Sequence, residues 1–166
     1  MAYTSRFNEL DLLIPELQAL AVPGIDPIVS STFVGVIAVK AVTAYELAIK
    51  DILEEFSEKK HKVFGFYVKM KLERLNGKIM YSNLKGELVK AFGEKYNCRF
   101  QTKIQEKTVE VLARERVDLV NTYNNLIQCR NQLVHHGVIT LTFYEVVKAY
   151  QLGKIVLEAL DGAMKR

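Results

Sequence analysis

The strongest constraint on the fold of this chain is an apolar periodicity of three and four residues that continues along most of its length. The clearest example lies in the segment after Pro27. Its positions are Val39, Val42, Glu46, Ile49, Leu53 and Phe56. This alternating spacing places all of them on one face of a single helix. A chain with this pattern folds by packing helices together, and we predict an all-α, up-and-down bundle of about five to six helices.

Length and composition fit one folded unit. The chain has 166 residues, of which 49% are hydrophobic and 25% charged, so a core can form without disulfides or a structural metal. We predict one helical domain over 1–166, in which an N-terminal helical segment at 1–27 packs on the bundle. Two cysteines, Cys98 and Cys129, are too few for a disulfide framework or a thiolate zinc site, and we expect both to be buried. No cofactor is expected.

The most apolar stretch of the sequence covers 28–49 and is as long as a membrane span. Lys40 and Glu46 lie inside it, and charged side chains at mid-membrane depth are costly. We interpret the stretch as a buried helix of a soluble protein, with no membrane partner. The N-terminus also lacks the basic segment and apolar run of a signal peptide, so the expected compartment is a reducing cytoplasm.

Capping and breaking residues predict where the first helices begin and end. The long second helix is expected to start at a hydroxyl cap within 30–32 and to reach about Lys60. A third helix is expected over 64–75, where the pair at 76–77 stops it. Asn83 is expected to cap a short fourth helix.

Two capping-box patterns predict the starts of later helices. Thr102 with Gln105 predicts the start of a fifth helical stretch. Thr142 with Glu145 predicts the start of the last helix, which should reach about Leu160. The helix between them is expected to end at His136, because Gly137 follows it.

Charge is distributed unevenly along the chain. Residues 1–58 carry three basic and nine acidic side chains, whereas residues 59–78 carry seven basic and one acidic. The candidate RNA-binding residues in this basic stretch are Lys59, Lys60, Lys62, Lys69, Lys71 and Arg74. Such a stretch is typical either of a surface that meets an anionic polymer or of an ordinary solvated helix face. Phe66 and Tyr67, between these lysines, fit a core better than a stacking platform for bases.

The segment 130–137 concentrates chemically versatile side chains at one helix end. Arg130 supplies a forked cation suited to phosphate oxygens, and a histidine moves protons near neutral pH. The negative end of the helix dipole favours imidazolium at His135 or His136. Asn131 and His135 are four residues apart, so the amide can orient the imidazole.

The geometry of one helix does not complete this site. Arg130 and His135 are five residues apart, which separates them by roughly 140° around the helix and about 7.5 Å along it. Two copies that face each other across a two-fold axis could bring both pairs onto one phosphate. The alternative is a solvated helix terminus whose histidines only cap the last carbonyls.

The order Arg-Asn, three residues, His at a helix end resembles the signature of the HEPN superfamily (higher eukaryotes and prokaryotes nucleotide-binding domains). Further segments resemble stand-alone members, including the branch associated with RNA ligases. These segments are 43–47, 83–85 and 92–96. The resemblance implies an all-α metal-independent endoribonuclease in which Arg130 and His135 are catalytic and Asn131 supports them. His136 separates His135 from Gly137, whereas the commoner pattern has one His directly before Gly, so His136 is the alternative proton donor.

The implied reaction is attack of the RNA 2′-hydroxyl on the adjacent phosphate, with Arg130 stabilising the charge and a histidine protonating the leaving oxygen. Glu46 interrupts an apolar stripe and could pair with Arg130, with Lys40, or lie at an edge in water. Expected partners are a second copy, an RNA substrate and a cognate antitoxin or other protein, since such domains often act as toxins or phage-defence effectors.

Two alternatives to an enzyme stay open. One is a non-catalytic HEPN scaffold or nucleotide-binding module that partners a second protein, such as a nucleotidyltransferase. The other is an all-α interaction protein in which the Arg-His pair is only a helix cap.

Overall fold

The computed structural model describes residues 2–21, 24–75 and 77–165, and these residues form helices and connecting turns without a strand. The helices are α1 (Asn8–Leu20), α2 (Pro27–Lys60), α3 (Lys62–Leu72), α4 (Tyr81–Asn83), α5 (Glu94–Glu115), α6 (Leu119–His136) and α7 (Phe143–Met164). Short 3₁₀ turns cover Ala2–Phe7 and Lys90–Phe92, and one π turn covers Leu84–Leu88. Six helices have 11 or more residues, which confirms the predicted all-α bundle.

The start of α2 lies earlier than the hydroxyl residues at 30–32 suggested. Asp26 is the N-cap, and its carboxylate accepts a hydrogen bond of 2.7 Å from the N–H of Ile28. Pro27 then occupies the first helical position, where its missing N–H is not needed. Ser31 and Thr32 are already inside the helix and donate to the carbonyl of Ile28. The predicted end at Lys60 is confirmed.

The later helix boundaries divide into correct and wrong predictions. The capping box of Thr142 and Glu145 is present, and α6 ends at His136 before Gly137, as predicted. The capping box at Thr102 is wrong, since α5 already begins after Gly93 and Thr102 lies within it. The last helix passes Leu160 and continues to Met164.

Two predictions near α3 are also corrected. The helix ends at Leu72 rather than at 75, and Asn76 of the predicted stop lies outside the described residues. Asn83 closes the short helix α4 instead of capping it, because the cap position is Met80.

The core is organised around α2 and a stack of three buried tyrosines. The ring of Tyr45 on α2 stacks on Tyr123 of α6 and on Tyr150 of α7, with centroids 5.7 and 6.1 Å apart. The Tyr45 hydroxyl donates to the carbonyl of Tyr150 at 2.6 Å, and burial raises its pKa well above the ordinary value. A Cβ on Gly153 would lie 2.1 Å from this hydroxyl, so only glycine lets α7 approach α2 this closely.

The predicted apolar stripe of α2 is only partly buried. Val42, Ile49 and Leu53 are fully buried, Glu46 and Phe56 are half-buried, and Val39 is exposed. An 18-residue window of α2 is apolar enough for a membrane span, and 44% of that window is buried inside the protein. Because α2 packs against α3, α6 and α7, it is the central helix of the bundle.

The N-terminal segment contacts the bundle through polar bonds. Arg6 makes a two-pronged ion pair with Asp51 of α2, at 2.7 and 2.9 Å. Asp11 of α1 accepts hydrogen bonds from the Tyr150 hydroxyl at 2.9 Å and from Lys154 at 2.5 Å. These bonds hold the 3₁₀ turn Ala2–Phe7 against α2 and α1 against α7.

Candidate functional site

The candidate site begins with Arg130 in the last two turns of α6. Its side chain is half-buried, and its Nη1 donates a hydrogen bond of 3.0 Å to Oδ1 of Asn131. The Nε of Arg130 is buried and has no hydrogen-bond partner among the described residues. An unpaired buried donor on a charged group is destabilising, and in native proteins it calls for an explanation.

The two histidines occupy the exposed end of the same helix. The rings of His135 and His136 are 6.3 Å apart and tilted by 59°. Gly137 adopts φ 67° and ends α6 there. Asn131 does not hydrogen-bond to His135 within the described chain; its carbonyl oxygen accepts from Arg130. The orienting contact expected between Asn131 and His135 is therefore replaced by one between Asn131 and Arg130.

Glu46 reaches the site through a turn rather than through a direct ion pair with Arg130. Its Oε1 lies 3.2 Å from Nζ of Lys50, and its Oε2 accepts a hydrogen bond of 3.0 Å from the N–H of Gly77. A Cβ on Gly77 would lie 3.4 Å from Nη1 of Arg130. Glu46 of α2 thus bonds to this turn, and the guanidinium of Arg130 lies beside it from α6. The predicted ion pair between Glu46 and Arg130 is not formed among the described residues, so that prediction is wrong. The alternative pairing with Lys40 is also wrong, because Lys40 pairs with Glu9.

The turn at Gly77 is fixed to α6 by two further bonds that sequence reasoning did not predict. The hydroxyl of Tyr123 donates to the carbonyl of Ile79 at 2.7 Å, and Oδ1 of Asn124 accepts from the N–H of Tyr81 at 3.0 Å. Gly77 itself has φ 76°, a conformation that favours glycine. The sequence signal for this turn was the glycine at 77, but nothing in the sequence indicated its partners on α2 and α6.

The basic stretch forms an exposed surface on α3 and the end of α2. The predicted RNA-binding residues are all exposed to solvent: Lys59, Lys60, Lys62, Lys69, Lys71 and Arg74. Phe66 and Tyr67 are exposed as well, at 70% and 57%, so their expected place in the core is wrong. With Val63 and Met70 they form an apolar stripe on the outer face of α3. The Nζ of Lys71 lies 5.5 Å from the Tyr67 ring centroid.

A second exposed apolar face lies beside the end of α6. Val36 and Val39 of α2 are partly exposed, and Val134 and Val138 are half-exposed. A groove of about 550 Å³ runs between the two helices, and its lining includes Val36, Val39 and Gly137. The groove reaches the end of α6 at Gly137, which follows His136 directly in the chain.

The cysteines and metal ligands complete the inventory of reactive groups. Cys129 is buried as expected, whereas Cys98 is exposed. The Cys98 thiol lies 3.5 Å from Glu94, and this carboxylate raises the pKa of the thiol. Among the residues that the structure describes, no three His, Cys, Asp or Glu side chains are grouped as metal ligands.

The helical bundle and the Arg-Asn-His segment at the end of α6 are the features of a HEPN domain. A family model described as RiboL-PSP-HEPN matches residues 2–166. The chain therefore belongs to this family, the HEPN branch associated with RNA ligases. In the comparisons with curated proteins and with solved structures, no match was found.

Proposed function

We propose that this protein is a metal-independent endoribonuclease that cleaves RNA by attack of the 2′-hydroxyl on the adjacent phosphate. The observation that carries the proposal is the burial and hydrogen bonding of the Arg130 side chain. It is a half-buried cation with an unpaired donor, its Nη1 bonds to Asn131, and it lies beside the turn at Gly77. A guanidinium held in this way can stabilise the negative charge of a phosphorane without reorganising.

The histidines supply the proton transfer. They lie in the last turn of α6, and a histidine side chain can transfer a proton near neutral pH. An imidazolium is a good general acid for the leaving 5′-oxygen, so the products carry a 2′,3′-cyclic phosphate and a 5′-hydroxyl. His135 is the preferred donor and His136 the alternative. DNA lacks the nucleophile and is spared.

A second copy of the chain completes the site. Since Arg130 and His135 project from different sides of α6, they require a partner helix end to converge on one phosphate. The exposed side chains of Val134 and Val138 lie at this end, and exposed apolar surface is typical of an interface. We place the two-fold contact there.

The basic surface on α3 provides the substrate track. Its exposed lysines neutralise RNA phosphates, and the exposed rings of Phe66 and Tyr67 stack on bases. The track is close to the site in the chain, because α3 leads directly into the turn at Gly77 that contacts Arg130. The proposed compartment is the cytoplasm, where the enzyme acts as a toxin or phage-defence effector under the control of a cognate partner.

A non-catalytic module is the second candidate. The exposed stripe of Val63, Phe66, Tyr67 and Met70 favours it, because four large apolar side chains at helical spacing also fit a protein partner. In that case α3 docks a second protein, such as a nucleotidyltransferase.

Purified protein incubated with single-stranded RNA in excess EDTA separates the two functions. The proposal predicts cleavage to products with 5′-hydroxyl ends and no cleavage of DNA of the same sequence. If RNA stays intact with EDTA and also with added Mg²⁺ or Mn²⁺, the non-catalytic module is the better description.

A further inference from the structure

A groove lined by side-chain amides lies on the outer side of α6. Its volume is about 680 Å³, within the usual range of about 300–1,000 Å³ for small-molecule sites. The residues that line it are Asn125, Gln128, Asn131, Gln132, Thr140 and Leu141. None of them is charged. Over its 18 residues α6 contains no Asp, Glu or Lys, and Arg130 is its only permanent charge.

The chemistry of the groove fits an uncharged ligand that both donates and accepts hydrogen bonds. Each amide offers two N–H donors and a carbonyl acceptor. The amides of Asn125, Gln128 and Gln132 form no hydrogen bond with another residue in the described ranges, and all three are exposed. Leu141 adds an apolar contact. An anion would find no cation among these lining residues, and a metal ion would find no carboxylate.

The groove is joined to the candidate site through Asn131. Because Oδ1 of Asn131 accepts from Arg130, the amide has a fixed orientation and its N–H donors remain for another partner. His135 lies seven residues after Gln128 and four after Asn131, so all three share one side of α6. A phosphate at Arg130 and a base in the groove can therefore belong to one nucleotide or to neighbours.

We propose that this amide groove binds an unpaired nucleobase of the RNA and gives the cleavage a preference for adenine at one fixed position from the cut. The inference rests on the proposed endoribonuclease function. Adenine is the expected base because the carbonyl and NH₂ of Asn or Gln pair in bidentate fashion with its N6 and N7. Unpaired RNA presents that edge, since its bases are free of a duplex.

The test is to map every cut that the wild-type protein makes in a pool of RNA with a randomised segment. We expect adenine to be enriched at one position relative to the cut. Gln128→Leu and Gln132→Leu keep the size of the side chain and remove its hydrogen bonds, so at least one should lower the enrichment about fivefold or more. Gln151→Leu, an exposed amide on α7, is the matched control and should leave the enrichment unchanged.

Two results of the mapping would contradict base binding in the groove without contradicting the proposed endoribonuclease activity. One is cleavage without a base preference at any fixed position. The other is a preference that both Gln128→Leu and Gln132→Leu retain in full. Thermal melting of each variant by circular dichroism, with a midpoint equal to that of wild type, establishes that the comparison is between folded proteins.

A binding measurement keeps the inference testable if wild-type protein cleaves nothing. The side-chain amide NMR signals of Asn125, Gln128 and Gln132 should shift with the trinucleotide ApApA at lower concentration than with CpCpC, while the Gln151 signal stays unchanged. If neither trinucleotide shifts these signals, the proposal that the groove binds a base is wrong. Shifts of the same signals on dilution without RNA also overturn it, since the groove is then occupied by a second copy.

Discussion

At the scale of single residues, the proposed mechanism needs one histidine at the end of α6 to donate the proton. His135 shares the side of the helix on which Asn131 lies, whereas His136 is turned about 100° further round. We expect His135→Ala to lower cleavage by roughly 10²-fold or more and His136→Ala to leave it nearly unchanged. The measurement is the single-turnover rate of RNA cleavage. The reverse result would assign the proton transfer to His136.

We propose that Glu46 positions Arg130 through the turn at Gly77, and substitutions can separate this path from the ion pair with Lys50. Glu46→Ala leaves the N–H of Gly77 without its acceptor, so the turn loosens and cleavage should fall about tenfold or more. Glu46→Gln keeps an acceptor oxygen and should retain most activity.

Lys50→Ala is the control for the charge of Glu46, because it removes the ion pair and leaves the Gly77 contact. Its cleavage rate should resemble that of wild type. If Lys50→Ala and Glu46→Gln both lose as much activity as Glu46→Ala, the charge of Glu46 matters rather than the turn.

At the scale of helices, the capping box at the start of α7 makes a testable contribution to stability. Thr142→Ala should lower the free energy of unfolding by about 1 kcal/mol, because the N–H of Glu145 loses its acceptor. The measurement is urea unfolding at pH 7. An unchanged unfolding midpoint would show that tertiary packing alone fixes the start of α7.

The same box predicts a pH dependence with a defined sign. Hydrogen bonds from the backbone and side chain of Thr142 lower the pKa of Glu145 in the folded protein. The stabilisation is therefore complete above the unfolded-state pKa of about 4.3 and is lost as the pH falls through the lower folded value. Urea unfolding should show that the difference in the free energy of unfolding between wild type and Glu145→Ala shrinks as the pH falls through this range. A difference that grows on acidification would contradict the assignment.

The helices show why the fold was predictable and the site only in part. The periodicity of α2 and the signals at Gly137 and Thr142 are local, and a sequence displays them directly. The contact between Glu46 and Gly77 joins residues 31 positions apart, and the path from this turn to Arg130 continues to a further helix, α6. Such contacts depend on packing, so the sequence indicated the importance of Glu46 and Arg130 but gave the wrong bond between them.

Phe66 and Tyr67 illustrate a different limit. Their apolar spacing is that of a core helix, and periodicity alone does not tell a buried face from an exposed one. The structure buries the opposite side of α3, through Val68 and Leu72, and leaves the aromatic side open. The lysines around these aromatics indicated an exposed face, and they were a better guide to burial than the apolar spacing.

At the scale of the whole molecule, the proposed two-fold contact predicts that assembly and activity fall together. Val134→Glu places a charge in the apolar face beside His135, so it should convert a dimer to monomers and abolish most cleavage. Val109→Glu on α5 is the matched control, since Val109 is similarly exposed, at 58% against 55%. Sedimentation equilibrium and RNA cleavage are measured on the same samples. A monomeric Val134→Glu variant with full activity would contradict the composite site.

The most direct test of the central claim uses DNA strands that each contain one ribonucleotide, incubated in excess EDTA. Four strands, one for each ribonucleotide, are compared with wild type and with Arg130→Ala. The account predicts that wild type cuts at least one strand only after its ribonucleotide, leaving a 2′,3′-cyclic phosphate, and that Arg130→Ala is slower by roughly 10²-fold or more. Cleavage at deoxyribonucleotides, dependence on added metal, or equal rates for the two proteins would contradict it.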